Sequence, residues 1–225
     1  MPTIELVACD MAGTTIDEHG DVYRALHTCV VETGTPVTDE NLQTWMGADK
    51  VEAITALLQL GGHPADETTV RACFDRFRSL LRQYYQETPP QGLPGVEQAL
   101  RTLKERGIKV ALTTGFSRDV AEPLLESLGW AVGEDELLDA VVCSDEVAAG
   151  RPYPYMIHRA MERTGVKDVA TVAVAGDTIV DAQAGAAAGA SHVFGVLTGK
   201  LTSADFDGSG VTEVIGSVAE LPERL

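Results

Sequence analysis

The chain has 225 residues, 44% of them hydrophobic and 23% charged, which suits one sizeable globular domain or one domain carrying a smaller insert. Its formal net charge of −17 excludes nucleic acid as a partner, because that ligand needs a basic face. The same charge repels anionic substrates at long range, so an anion-processing site here would need local compensation from a metal, helix N-termini or a few well-placed Arg or Lys. No apolar run is long enough to span a membrane, and Met1-Pro2-Thr3-Ile4-Glu5 lacks the basic region and apolar core of a signal peptide. Cys9, Cys29, Cys73 and Cys143 are scattered without metal-type spacing and read as free buried thiols in a reducing cytoplasm. The histidines form no HxH or HExxH cluster and read as isolated surface or core residues.

The first predicted element is the apolar stretch Ile4-Glu5-Leu6-Val7-Ala8-Cys9, ending in Asp10 and the turn Met11-Ala12-Gly13-Thr14-Thr15. It puts Asp10 at the carboxyl end of a buried strand, where ligands sit in open α/β sheets. Taken alone, Asp10 reads either as a turn residue or as a carboxylate that binds a hard cation or attacks phosphorus. Helical patterns follow over 21–34, from Thr38 as N-cap to about Trp45, over 50–60 and over about 66–87. Pro89-Pro90-Gln91-Gly92-Leu93-Pro94-Gly95 reads as a stiff linker. Residues 17–91 are therefore a helical insert, and 1–16 with 92–225 form a core domain.

Beyond Pro94, strands and helices alternate. Helices are predicted over 95–106, 118–128, 153–164 and 178–188, and strands over 108–114, 140–143, 169–175, 191–196 and 211–215. The fold class is α/β: a doubly wound, Rossmann-like parallel sheet with an inserted helical domain.

Polar residues gather at the carboxyl ends of these strands. The first strand gives Asp10, the second Thr114 and Gly115, the loop after the third Gly150-Arg151-Pro152, and the fourth Asp177 and then Asp181. This agreement argues against a turn-only role for Asp10. Asp10, Asp177 and Asp181 offer the hard oxygen ligands that Mg²⁺ prefers. A carboxylate attacking phosphorus must approach a dianion, and Mg²⁺ with Arg151 would cancel that charge while the Thr114 hydroxyl donates to phosphoryl oxygens. Asp177-Thr178-Ile179-Val180-Asp181 also reads as a helix start, an alternative that is stronger for Asp181 than for Asp177.

Asp10-Met11-Ala12-Gly13-Thr14, Thr114-Gly115, Arg151-Pro152 and Gly176-Asp177-x-x-x-Asp181 resemble the four motifs of the haloacid dehalogenase-like hydrolases. The resemblance covers nearly the whole chain, and the helical insert looks like that family's cap. It implies a hydrolase whose nucleophile, Asp10, forms an aspartyl-phosphate. It further implies Mg²⁺ held by Asp10, Asp177 and the backbone carbonyl of Ala12, and phosphoryl oxygens bound by Thr114, Gly115 and Arg151.

Ala12 is a departure. Most phosphatases of the family carry a second Asp there as general acid and base, and a methyl group can do neither. The phosphonatase subgroup, which breaks the C–P bond of phosphonoacetaldehyde, has the Asp-x-Ala-Gly-Thr pattern and an Arg in the third motif. Met46-Gly47-Ala48-Asp49-Lys50 is similar to that subgroup's Met-Gly-x-x-Lys loop, in which the lysine forms a Schiff base with the aldehyde. For Lys50 the alternatives are a phosphate-binding residue or a solvated lysine at a helix start. Two features differ from the subgroup: Ala53 stands where it has a histidine, and Gly20 about where it has a cysteine.

The expectation is thus a Mg²⁺-dependent phosphonatase-like hydrolase acting on a small phosphonate, with a phosphatase of a small phosphate ester, or a binding module without catalysis, as alternatives. The insert is expected to close on hinges at 15–21 and 88–95. The subgroup's behaviour suggests a homodimer through the helix at 21–34. Tyr153, Tyr155, Phe116 and Trp45 read either as pocket lining or as core.

Overall fold

The computed structural model describes residues 3–225; Met1 and Pro2, part of the predicted core segment and of the N-terminal reading, lie outside the described residues. The chain begins with β1 (Leu6–Asp10) and the short β2 (Ile16–Asp17). Helices α1 (Asp21–Val31), α2 (Asp39–Thr44), α3 (Lys50–Leu60) and α4 (Glu67–Glu87) come next. After them run β3 (Gln91–Gly92), α5 (Val96–Glu105), β4 (Lys109–Thr114), α6 (Arg118–Leu128), β5 (Ala140–Cys143) and α7 (Tyr155–Thr164). The chain closes with β6 (Val172–Gly176), α8 (Ile179–Ala188), β7 (His192–Val196), β8 (Glu213–Ile215) and α9 (Leu221–Arg224).

These elements divide into two compact units, Met1–Asp17 with Gln91–Leu225, and Glu18–Pro90. The first is built on a parallel six-stranded sheet of order β5-β4-β1-β6-β7-β8. Every residue of β1 is buried, as expected of a parallel strand covered on both faces. Alternation sends Leu6 and Ala8 into a cluster with Val172 and Val174 of β6, Met156, Ile157 and Ala160 of α7, and Ala184 and Ala188 of α8. Helix α8 is made of small residues because it lies close on the sheet: a Cβ on Gly185 would come within 3.0 Å of Val193. The second unit is helical. Thr38 caps α2 through the Asn41 N–H, Asp49 caps α3 through Val51 and Glu52, and Asp66 caps α4 through Thr69. Leu26, Cys29, Val30, Ile54, Leu57, Leu58, Phe77, Leu80 and Leu81 are buried.

Several elements differ from the sequence expectations. Residues 169–171 form a short 3₁₀ turn capped by Asp168, so β6 starts at Val172 rather than at 169. The β-branched run there favours a strand, but the Asp168 side chain bonding to the Ala170 N–H competes with the ladder. Helix α7 starts at Tyr155 instead of 153, because Pro154 and its neighbours are occupied in a turn, with the Tyr153 N–H bonded to the Gly150 carbonyl. Within the linker-like stretches, β2 and β3 pair antiparallel, Ile16 with Gly92 and Asp17 with Gln91. Two-residue strands leave no periodicity to read. All four cysteines are free and buried, as expected from their spacing.

Gly176, the last residue of β6, leaves no room for a side chain: a Cβ there would lie 2.2 Å from the Asp181 Cβ. Gly176→Ala is expected to cost about 2–3 kcal/mol in urea unfolding through overpacking. At Gly107, where a Cβ meets open space but φ is +80°, alanine is expected to cost only the left-handed strain of about 1–2 kcal/mol. Equal losses at the two positions would refute the close approach at Gly176.

Candidate active site

The parallel register brings three carboxylates together. Asp10 ends β1, opposite Thr113 of β4, and Cys9 is opposite Ala175 of β6. Asp177 directly follows β6, and Asp181 lies in the first turn of α8. Carboxylate oxygens of Asp10, Asp177 and Asp181 lie within 4.8 Å of one another, and all three residues are buried. This is a donor set suited to a hard divalent cation.

The turn after β1 is tightly made. The Met11 carbonyl accepts from the Thr15 and Ile16 N–H groups, both at 2.9 Å, and the Gly13 N–H bonds to the Ile16 carbonyl at 2.9 Å. Gly13 has φ +87°, a left-handed conformation that a side chain would strain. Ala12 sits in this turn and presents a methyl group. The Thr14 hydroxyl donates to Asp177 Oδ1 at 2.9 Å, so the turn also orients the second carboxylate.

Arg151 is the cation of the cluster. Its Nη1 contacts Asp10 Oδ1 at 2.7 Å and its Nε contacts Asp181 Oδ1 at 2.8 Å, with both side-chain pairs almost fully buried. Its Nη2 donates to the carbonyl and the hydroxyl of Thr113, each at 2.8 Å. A guanidinium supplies this fork of donors; an ammonium does not. Asp181 is held from the other side as well, its Oδ2 accepting from the Thr178 N–H and hydroxyl in a capping box. Helix start and site residue are thus one and the same for Asp181.

Three carboxylates against one guanidinium leave a buried excess of negative charge. Burial first, and then the neighbouring carboxylates Asp10 and Asp181, push the Asp177 carboxyl well above the usual range. Burial likewise pushes Asp181 up to about 6, although Arg151 pulls it the other way. Both directions say that the cluster wants more positive charge, whether protons or a metal ion. The Cys9 thiol, beside Asp10, is pushed up by burial and by that carboxylate, which makes it inert rather than nucleophilic.

The Thr114 hydroxyl accepts from the Phe116 N–H at 3.1 Å, which points its own proton toward another acceptor. Gly115 follows it, its carbonyl accepting from the Ser144 hydroxyl. Lys50 is in the helical unit, at the first position of α3, buried, with Nζ donating to the Ala48 carbonyl at 2.8 Å. A cation in a first helical turn runs against the helix dipole. Phe116 is core, whereas Tyr153 and Tyr155 are 56% and 44% exposed and stack on each other.

Thr113 is not among the residues that the strand-end pattern points to, which names Thr114 and Gly115. The threonine pair was the available signal: alternation sends the two side chains to opposite faces, and each has a polar task. Thr113→Val is expected to destabilise the fold by about 1–2 kcal/mol by leaving a buried guanidinium N–H short of an acceptor, and Thr113→Ser to stay near wild type. Arg151→Lys should lose more than Thr113→Val, since one ammonium cannot reach all four acceptors. Urea unfolding of the three variants decides this, and a wild-type Thr113→Val would remove Thr113 from the site.

Comparisons with known proteins bear on the family. A family model for haloacid dehalogenase-like hydrolases matches residues 4–189. A phosphonoacetaldehyde hydrolase of Bacillus cereus is 30% identical over 213 residues, covering 87% of this chain and 76% of that protein. A hydrolase from Pseudomonas syringae superposes with a TM-score of 0.85 at 19% identity, over 97% of this chain and 96% of that one. A phosphonoacetaldehyde hydrolase-like protein from Oleispira antarctica gives 0.81 at 24% identity, over 98% and 90%. The two structures speak for the fold alone. With the matched model spanning most of the sequence, the chain belongs to the haloacid dehalogenase-like hydrolases.

Proposed function

We propose that this hydrolase is a Mg²⁺-dependent phosphonatase, cleaving the C–P bond of phosphonoacetaldehyde or a closely related small phosphonate through an aspartyl-phosphate on Asp10. The observation that carries the reading is Ala12 beside an otherwise complete set of charged groups. An alkoxide leaving group needs a proton donor at that place, and a methyl supplies none. A carbon leaving group that departs as an enamine needs no proton at the moment of cleavage. The likeness to the Bacillus cereus enzyme supports the same substrate class.

In this reading the Lys50 amine condenses with the substrate aldehyde, releasing water and giving an iminium. The C–P electron pair moves into the iminium to form an enamine, while phosphorus passes to the carboxylate of Asp10. Water then attacks the acyl phosphate and releases inorganic phosphate. Protonation and hydrolysis of the enamine free Lys50 and give acetaldehyde. Arg151 and the Thr114 hydroxyl, with the Gly115 loop, would bind phosphoryl oxygens. Asp10, Asp177, Asp181 and the Ala12 carbonyl are the residues that would hold Mg²⁺, and the ion would supply charge neutralisation for the dianionic substrate. The reading needs only a small-molecule partner. A cytoplasmic location and a homodimer through α1 belong to it, on the strength of the free thiols and of the subgroup likeness.

Phosphate release is expected from phosphonoacetaldehyde and not from alkyl phosphates, and borohydride added with the aldehyde should leave a reduced adduct on Lys50. Lys50→Arg should abolish C–P cleavage while the protein still binds phosphate. Faster turnover of alkyl phosphates, with no adduct, would put a phosphatase in place of this reading.

The charge excess makes a second measurement informative. The folded metal-free protein keeps protons on Asp177 and Asp181 that the unfolded chain has already lost above about pH 4. Their contribution to stability is complete below that pH and fades as pH rises through about 6 for Asp181. Mg²⁺ should therefore raise Tm more at pH 8 than at pH 5, where it must displace protons. A Mg²⁺ shift no larger at pH 8 than at pH 5 would contradict metal binding at these carboxylates.

A further inference from the structure

The loop after β7, Leu197-Thr198-Gly199-Lys200, plays no part in the family motifs quoted above, yet it reaches the same carboxyl edge of the sheet. The Thr198 hydroxyl donates to the Gly13 carbonyl at 2.5 Å, joining this loop to the turn that follows the nucleophile. A Cβ on Gly199 would lie 2.1 Å from Asp177 Oδ2 and 2.8 Å from the Asp177 Cβ and Cγ. A Cβ on Gly13 would lie 2.6 Å from the same oxygen. Asp177 Oδ2 is therefore enclosed by two glycines on separate loops, and the Thr198 hydrogen bond ties those loops together.

We infer that Thr198 and Gly199 are positioning residues for the cation, clamping the turn of residues 12–13 against Asp177. The inference rests on the proposed Mg²⁺ site. Thr198 fixes the Gly13 peptide, and through it the carbonyl of Ala12 one residue earlier. Gly199 leaves the space in which Asp177 Oδ2 stands. The backbone of Gly199 is outside the left-handed region, so the need for glycine there is one of contact and not of backbone conformation. Partners that orient metal ligands without touching the metal are worth about 10–100-fold in affinity when removed. Thr198→Val keeps the shape and deletes the donor, Thr198→Ser restores the donor, and Gly199→Ala adds the intruding carbon.

The test is calorimetric titration of MgCl₂ into the full-length metal-free protein, with the Mg²⁺-induced change in Tm measured alongside. Thr198→Val should bind Mg²⁺ about tenfold more weakly than wild type, Thr198→Ser should match wild type, and Gly199→Ala should lose at least as much as Thr198→Val. The metal-free Tm of Thr198→Val should move little compared with its loss of the Mg²⁺ shift; a purely structural role would lower the metal-free Tm and spare the affinity. Wild-type Mg²⁺ affinity in both Thr198→Val and Gly199→Ala would overturn the inference while leaving the metal site standing. Failure of the wild type itself to bind Mg²⁺ would overturn the site and the inference together.

Discussion

Three carboxylates and one guanidinium share a volume from which water is almost excluded, and this concentration of charge governs the architecture around it. Asp10, Asp177 and Asp181 would not remain buried beside one another without Arg151, whose donors are divided among Asp10, Asp181 and Thr113. The hydroxyls of Thr14 and Thr178 each satisfy a further carboxylate oxygen. Gly13, Gly176 and Gly199 lack side chains where any would strike an aspartate. Even so, the compensation is incomplete, since burial and mutual repulsion raise both Asp177 and Asp181. The buried carboxylates cost folding energy, and a bound cation or protons would relieve that cost.

A site of this kind is insensitive to substrate identity until position 12 is considered. The nucleophile and its counter-charges serve any transfer of a phosphoryl group to a carboxylate, because the charge to be stabilised is the same. The leaving group differs. A donor near the departing oxygen lets an alkoxide leave, and without one the leaving group must carry its own electron sink. In the proposed reading, a methyl group at Ala12 would thus filter substrates by chemistry and not by shape. Lys50 is the complementary half of the reading: an amine is the side chain that turns a neighbouring aldehyde into a sink.

Much of the sheet and its carboxyl edge was legible because parallel strands make strong patterns. Largely apolar runs ending on Asp10, Thr114 and Gly176-Asp177 mark strands and their carboxyl ends at once. Thr38 marks the start of α2 equally well, whereas the caps Asp49 and Asp66 were not read from the sequence. What escaped depends on contacts between residues far apart in sequence. The Thr113-Thr114 pair hints at a polar task for each residue, but not that Thr113 bonds to a guanidinium 38 residues away. The two-residue strands β2 and β3 have no period, and the Thr198–Gly13 bond joins residues 185 apart. The exposure of Tyr153 and Tyr155 was hidden for the same reason, since an aromatic pair at that spacing fits a buried face equally well.

The two later aspartates look alike in sequence but are not equivalent in space. Both oxygens of Asp181 are engaged, Oδ1 by the Arg151 Nε and Oδ2 by the Thr178 N–H and hydroxyl. Asp177 accepts from Thr14 through Oδ1, and its Oδ2 stands between Gly13 and Gly199. An oxygen already committed to a charged donor is a poorer ligand than one whose lone pairs remain available, because the ion would have to displace that donor. Within the proposed Mg²⁺ site, the geometry therefore favours Asp177 over Asp181 for direct ligation. It favours Asp181 as the residue that holds Arg151 in place and adds negative charge at one remove. That division also fits the second task of Asp181 as a helix cap: a residue whose oxygens are fixed by α8 and Arg151 makes a rigid wall beside the proposed site.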